Sequence, residues 1–284
     1  MSVSAPPARP CVHSGAFLKG EKQHNMHLVL LNWALPTCTL QCWTAATYRI
    51  CADGGANQLY NIATHIPPRQ ILTTVGAQAP PASQVVRPQD ARGVLKPDLI
   101  VGDLDSVYPD VRRFYQAEGV AIRDMGHDQD TTDLEKAVRA ARDSIGAVED
   151  GRPLIVAVGA LGGRLDHSLG SLSTLYKFPE LELVLVGDGN TARLLPPGRN
   201  IIRVDRNVEG PTCGLVPLAG RAVVSSRGLR WDMDGLELEM GAMVSTSNEV
   251  SADEVEVFTD VPLVWTTACP AATSLPPAQS SLER

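Results

Sequence analysis

Asp103 and Asp105 stand one residue apart in VGDLDSVYPD (101–110), directly after the apolar run Leu99-Ile100-Val101. If strand geometry continues that far, alternate side chains share a face and the two carboxylates lie side by side. Like charges that close raise each other's pKa unless a cation intervenes. Two further acidic loops follow apolar segments: ADGGAN with Asp53, and HDQDTTDLEK with Asp128, Asp130 and Asp133. In an open parallel sheet, loops past the carboxyl ends of the strands share one edge, and ligands bind there. A set of oxygen ligands with no His or Cys suits Mg²⁺ better than zinc, and Mg²⁺ held by carboxylates implies a phosphate beside it.

Basic groups complete that chemistry. Lys136 follows Asp133 by three residues, on the same helix face, and its side chain leans toward the helix N-terminus where a phosphate would sit. GALGGRLDH (159–167) is a glycine-rich turn entering a helix. Gly162 and Gly163 can bring backbone N–H groups to an anion, Arg164 offers a fork of donors, and Asp166 is a candidate N-cap. No Gly-Lys-Ser/Thr follows, so this is not a Walker A loop. Each feature has a purely structural alternative. Asp53 can cap the helix after it, Asp105 and Ser106 can cap the helix at 109–118, Asp133 and Lys136 can be a surface pair, and His167 can be a plain helix-surface residue.

The elements that must position these groups alternate. HLVLLNWAL (27–35), Tyr48–Ala52, the start of PDLIVGDLDS with its apolar Leu99-Ile100-Val101, VAIRDM (120–125), PLIVAV (153–158) and LELVLVGDG (181–189) read as strands. Helical patterns separate them at 56–63, 109–119, 131–146 and after 163. In TTDLEKAVRAARDSIG, Thr132 and Glu135 form a capping box and Leu134, Val138, Ala141 and Ile145 repeat at helical spacing. The first region is therefore α/β with a largely parallel sheet. From about residue 192 the pattern changes to short strand-like runs: IIRV, CGLVPLA, RAVVSS, LRWDM, LELEM, AMVSTS, VEVFTD and PLVWTT. That pattern predicts an all-β sandwich. Residues 1–25 and 271–284 read as tails, and the Pro-, Ala- and Gln-rich stretch 73–97 as a flexible insertion. The expected boundaries are 26–190 for the α/β domain and 191–270 for the sandwich.

Composition bounds the function. The chain has 284 residues, 44% hydrophobic and 20% charged, with net charge -7. That balance suits a globular protein and disfavours a nucleic-acid surface, which needs a basic stripe. Six cysteines carry no CxxC pair or zinc spacing. MSVSAPPARP lacks an apolar signal core, and no run approaches the roughly 20 apolar residues of a membrane span. A cytoplasmic protein with neither membrane nor nucleic-acid partners is the expectation. In the β region, Trp231 can offer an aromatic face to a flat, cationic ring, with Ser245, Ser247 and Asn248 as small polar groups at a strand end. A core Trp and a turn are the structural alternative.

CADGGANQLY, GDLDS, DQDTTDLEK, GGRLDH, GLRW and MVSTSNEV, in this order, closely resemble the eukaryotic thiamine pyrophosphokinase family, and LVLLN (28–32) and PLVWTT (262–267) fit it too. The resemblance spans about residues 26–268. It implies an α/β catalytic domain joined to a β-sandwich domain in a homodimer. It also implies an Mg²⁺-dependent enzyme that transfers pyrophosphate from ATP to the hydroxyethyl oxygen of thiamine, giving thiamine diphosphate and AMP. Asp103, Asp105 and Asp133 match the family's metal-binding positions and, with Arg164, its catalytic set. Asp53, Gly54, Gly55, Asp128, Gln129, Thr132, Lys136, Gly162, Gly163 and Asp166 fall in motifs lining the nucleotide cleft. Trp231, Ser245, Ser247 and Asn248 fall in the segment that, from the partner subunit, covers thiamine. Two alternatives remain open at this stage. DLDSV also resembles the Asp-x-Asp motif of haloacid-dehalogenase-type phosphatases, with Asp103 as nucleophile. The fold could also serve a non-catalytic thiamine- or nucleotide-binding protein.

Overall fold

The computed structural model describes residues 10–78, 81, 85–146 and 152–275. It divides into two compact units: Phe17–Asn190 with the chain from Ala271, and the chain up to Ala16 with Thr191–Pro270.

After β1 (Cys11–Ser14), which belongs to the second unit, the first unit contributes β2 (His27–Leu30), β3 (Tyr48–Ala52), β4 (Leu99–Gly102), β5 (Ala121–Asp124), β6 (Leu154–Val158) and β7 (Glu182–Gly187). They pair in the order β7-β6-β2-β3-β4-β5, every pair parallel. Helices α1 (Thr39–Ala45), α2 (Gly55–His65), α3 (Pro68–Thr74), α4 (Pro88–Val94), α5 (Pro109–Ala117), α6 (Asp133–Ser144) and α7 (Leu165–Lys177) fill the connections. The central strands are buried along their whole length, which is why they read as continuous apolar runs rather than alternating ones. Helix α6 buries Leu134, Ala137, Val138 and Ala141, and Thr132 accepts the Glu135 N–H at 3.3 Å. The reciprocal half of the expected capping box is replaced, because the Glu135 carboxylate pairs with Lys177 and with Arg139. The strand order reverses between β2 and β6, the position where such sheets open a crevice beyond their carboxyl ends.

The second unit contains β8 (Asn190–Leu195), β9 (Gly198–Arg203), β10 (Thr212–Val216), β11 (Ala222–Arg227), β12 (Leu236–Leu238), β13 (Ser245–Glu249), β14 (Glu254–Thr259) and β15 (Leu263–Ala268). One sheet runs β1-β9-β14-β11-β12 and the other strands run β13-β10-β15-β8. Ile202, Val224, Leu238, Val255 and Val257 of the first meet Leu215, Leu263 and Trp265 of the second in one apolar core. The alternating burial along β11 and β14 is the pattern of a strand with one face on that core. LRWDM is not a strand; Leu229–Met233 is a loop with one bridge, Leu229 to Val250.

Three expected loose segments are ordered where described. Cys11–Ser14 pairs in parallel with β9; buried His13 meets Asn200 at 3.2 Å, and Arg193 donates to the Ser14 carbonyl at 3.2 Å. Those partners lie about 180 residues away in sequence, so nothing local announces the strand. Within 73–97, α4 buries Ala91, Leu95 packs behind it, and Arg92 lies over the Tyr60 ring at 4.1 Å. At the other end, Thr37 N–H donates to Thr273 O and Leu275 N–H to Leu35 O. The remaining residues of these three segments, 1–9, 79–80, 82–84 and 276–284, lie outside the described residues. No helix among the described residues is long and apolar enough to cross a membrane.

Candidate active site

Strand β4 ends at Gly102, and Leu104 turns the chain with a φ of 63°. Asp103 and Asp105 therefore converge by a turn, not by the pleat of a continued strand. Asp53, just past β3, also has a positive φ, 44°. Such backbone in a residue other than glycine costs about 1–3 kcal/mol and gathers at functional sites. The fit is tight: a Cβ on Gly102 would lie 2.7 Å from the Asp53 Cβ. Carboxylate oxygens of Asp53, Asp103 and Asp105 all lie within 4.8 Å of one another.

The structural alternatives for these loops fall away. Gly54, not Asp53, holds the N-cap position of α2, and Tyr108, not Asp105 or Ser106, holds that of α5; neither has a side-chain cap. Gly55 is needed for packing, since a Cβ there would meet the Leu30 carbonyl oxygen at 2.1 Å.

Lys136 is 2% exposed, and its Nζ lies 3.6 Å from Asp103 Oδ2 and 3.8 Å from Asp133 Oδ1. The ammonium thus pairs with two of the four carboxylates, Asp103 and Asp133. Burial, then the charges of Asp53 and Asp103, push the Asp133 carboxyl up to about 6, with Lys136 opposing. Burial likewise raises Asp53. Asp53 Oδ1 and Asp103 Oδ1 are buried and have no hydrogen-bond partner among the described residues. Orphaned buried oxygens, mutual repulsion and an all-oxygen donor set fit a hard divalent cation such as Mg²⁺. Asp53, expected among the nucleotide groups, belongs to the close trio, whereas Asp133 stands beside it through Lys136.

Asn57 was not singled out by sequence reasoning. It is buried on α2, donates to the Ser106 carbonyl at 2.7 Å and accepts the Tyr108 N–H at 3.0 Å. It fastens the far end of the Asp103–Asp105 loop. Its place in GGANQ one helical turn after Asp53 was the available signal.

Other expected nucleotide residues have local partners. The Thr131 hydroxyl, first, and Arg139 hold Asp128 below the usual carboxylate range. Gln129 donates to Gly126 O at 2.8 Å. Thr132 caps α6. Arg164 occupies the N-cap position of α7, and Asp166 lies in its first turn rather than capping it. The two are exposed and paired through both guanidinium and both carboxylate edges. Gly162 donates its N–H to Ser168 Oγ at 3.2 Å, and a Cβ on Gly163 would lie 2.6 Å from the Trp33 ring. Close packing on Trp33 and a φ of 66° together account for glycine at 163.

In the β unit, Trp231 is 52% exposed and not a core residue. Asn248 is buried and spends its amide on Trp231, accepting its N–H at 3.2 Å and donating to its carbonyl at 2.9 Å. It therefore positions the tryptophan rather than offering its amide outward. Ser245 is buried in β13, and Ser247 is exposed with a φ of 56°. Asp232 braces the loop by accepting from the Ser226 hydroxyl and the Gly228 and Leu229 N–H groups.

These features define a class: an α/β unit with a cation-seeking acidic site on a parallel sheet, carried with a β-sandwich unit that presents a braced, exposed tryptophan. Residues 39–185 match the thiamin pyrophosphokinase catalytic domain and residues 199–264 its vitamin B1 binding domain. A thiamine pyrophosphokinase 1 of Oryza sativa is 34% identical over 92% of this chain and 98% of its own length. One of Arabidopsis thaliana is 37% identical over 90% and 92%. The solved structure of thiamin pyrophosphokinase from Candida albicans superposes with a TM-score of 0.72 at 23% identity, covering 94% of this chain and 95% of its own, which speaks for the fold. The chain belongs to the thiamin pyrophosphokinase family. The phosphatase and non-catalytic alternatives gain no support. In the phosphatases the Asp-x-Asp motif follows the first strand; here it follows β4, the third strand of its sheet in chain order.

Proposed function

We propose that this chain transfers the pyrophosphoryl group of ATP to the hydroxyethyl oxygen of thiamine, releasing AMP. The observation that carries it is the convergence of Asp53, Asp103 and Asp105, two with orphaned buried oxygens, beside buried Lys136 in a member of this family. Asp53, Asp103 and Asp105 would hold Mg²⁺, with Asp133 at its margin. Bound there, the ion would supply charge neutralisation at the phosphates. Lys136 contributes a fixed ammonium in a dry setting, where it stabilises developing phosphate charge more than it would in water. The thiamine oxygen bonds to the β-phosphorus as the bond from that phosphorus to the oxygen bridging to the α-phosphorus breaks. AMP leaves with that bridging oxygen. The hydroxyl proton passes to a carboxylate of this cluster, for which Asp133, beside the trio through Lys136, is the candidate. Arg164 is exposed and can exchange Asp166 for a phosphate oxygen.

Trp231 receives the flat rings of thiamine. Homodimerisation is part of the same reading; exposed Trp231, Met240 and Met243 in one unit, and Leu165 and Leu169 on α7 in the other, support it. Sedimentation equilibrium tests it, with twice the 30.4 kDa chain mass expected. Free, buried thiols at Cys38, Cys51 and Cys213 fit a reducing, cytoplasmic setting. Chromatography of nucleotides after incubation with ATP, thiamine and MgCl₂ tests the reaction. AMP is expected; ADP as the sole nucleotide product contradicts it.

A further inference from the structure

Trp231 is anchored through its backbone, yet its indole is half exposed on a loop. A side chain so placed samples several rotamers unless something holds it. The Arg230 guanidinium lies over the indole, 4.6 Å from its centroid. Arg230 is itself held: Nη1 meets Glu249 Oε2 at 2.9 Å, and its backbone N–H donates to the Glu249 carbonyl at 2.8 Å. Glu249 in turn donates its N–H to Asn248, the residue that clamps the Trp231 backbone. Ring, cation and carboxylate thus form one connected unit, with the guanidinium against one face of the indole.

Charge makes the pairing consequential. Thiamine carries a cationic thiazolium. A lone guanidinium stacked on the receiving indole would repel it across the thickness of the ring. The Glu249 carboxylate cancels that charge while keeping the guanidinium in place.

We propose that Arg230 is a positioning residue for thiamine recognition and Glu249 its charge compensator. Together they form an electrically neutral backing that holds Trp231 with a single open face. This inference rests on the reading that Trp231 receives thiamine.

Steady-state kinetics on R230M, R230K, E249Q and W231A test it, with acrylamide quenching of tryptophan fluorescence corrected by a W231F variant. For R230M, the thiamine KM rises about fivefold, the scale of one partly exposed cation–π contact. Its kcat and ATP KM stay within about twofold, and Trp231 becomes more accessible to quencher. R230K, which keeps the charge and loses the planar stack, falls between R230M and the wild type. For E249Q, the thiamine KM rises at about 0.02 M salt and the rise shrinks at about 0.5 M, because repulsion from the uncompensated guanidinium is screened. If W231A raises the thiamine KM while R230M and E249Q leave it and the quenching unchanged, the backing is overturned and the Trp231 reading stands. If W231A leaves the thiamine KM unchanged, the Trp231 reading fails and this inference with it. A fall in kcat for R230M at unchanged KM also overturns it. E249Q keeps the question decidable if R230M does not fold, since its salt dependence has no counterpart in a packing defect.

Discussion

The acidic loops of the α/β unit and the Trp231 loop of the β unit solve opposite problems. Around Asp53, Asp103, Asp105 and Asp133, carboxylates crowd one another, two are driven up in pKa, and two buried oxygens lack hydrogen-bond partners among the described residues. Around Trp231 the polar groups are used internally: Asn248 on the Trp231 backbone, Asp232 on three donors, Glu249 on Arg230. The first site is incomplete without added positive charge. The second is complete and offers a shape. Both use a non-glycine residue at positive φ, Leu104 and Ser247, but only the first combines this with unmet electrostatics. On the proposed function, recognition of a phosphate–metal group would be stored as unrelieved repulsion, and recognition of a flat ring as rigidity.

Asp105→Asn removes an exposed member of the trio and should cut turnover at saturating Mg²⁺ by at least about 10²-fold, the scale of one strong transition-state contact. Near-normal turnover would remove Asp105 from the metal set. Lys136→Met leaves Asp103 and Asp133 without their ammonium. In urea melts with EDTA it should cost about 2 kcal/mol, below the roughly 3–5 of a fully buried pair because both carboxylates reach solvent. Added Mg²⁺ should recover part of that loss.

Asn248→Ala should raise the thiamine KM about tenfold by freeing the Trp231 backbone, with the ATP KM unchanged. Equal rises for both substrates would mean that the two sites are coupled. The smallest effect is on pH dependence. The Asp133 carboxyl is raised from 3.8 to about 6, so the metal-free fold binds its proton more tightly than the unfolded chain. The stability this provides is complete below about pH 4 and is lost as pH rises through about 6. Asp133→Asn should therefore match the wild-type melting temperature at pH 4 in EDTA and exceed it at pH 8. A gain already present at pH 4 would point to packing instead.

What the sequence disclosed follows from range. Helix α6 was legible because its cap and its apolar face lie close together in sequence, and β4 and β6 because strands buried on both faces need unbroken apolar runs. Helix α1, TLQCWTA, is too short and irregular to show a period. Strand β1 was hidden because its ladder partner, β9, lies far along the chain. In the site, Asp103, Asp105, Asp133 and Lys136 were legible from spacing. Asp53 joins the acidic trio only because β3 and β4 are neighbours, and Asn57 matters only because α2 reaches the loop after β4. Asn248 was found for the wrong reason: a polar residue at a strand end suggests a ligand contact, whereas its amide is spent on Trp231.

The most direct test is a ³¹P NMR time course of the wild-type chain and Asp105→Asn with ATP and thiamine, with and without Mg²⁺. AMP and thiamine diphosphate should rise one to one in the wild type, only when Mg²⁺ is present, and be nearly lost in the variant. Thiamine monophosphate with ADP, or product formation independent of both Mg²⁺ and Asp105, would contradict pyrophosphoryl transfer at this acidic site.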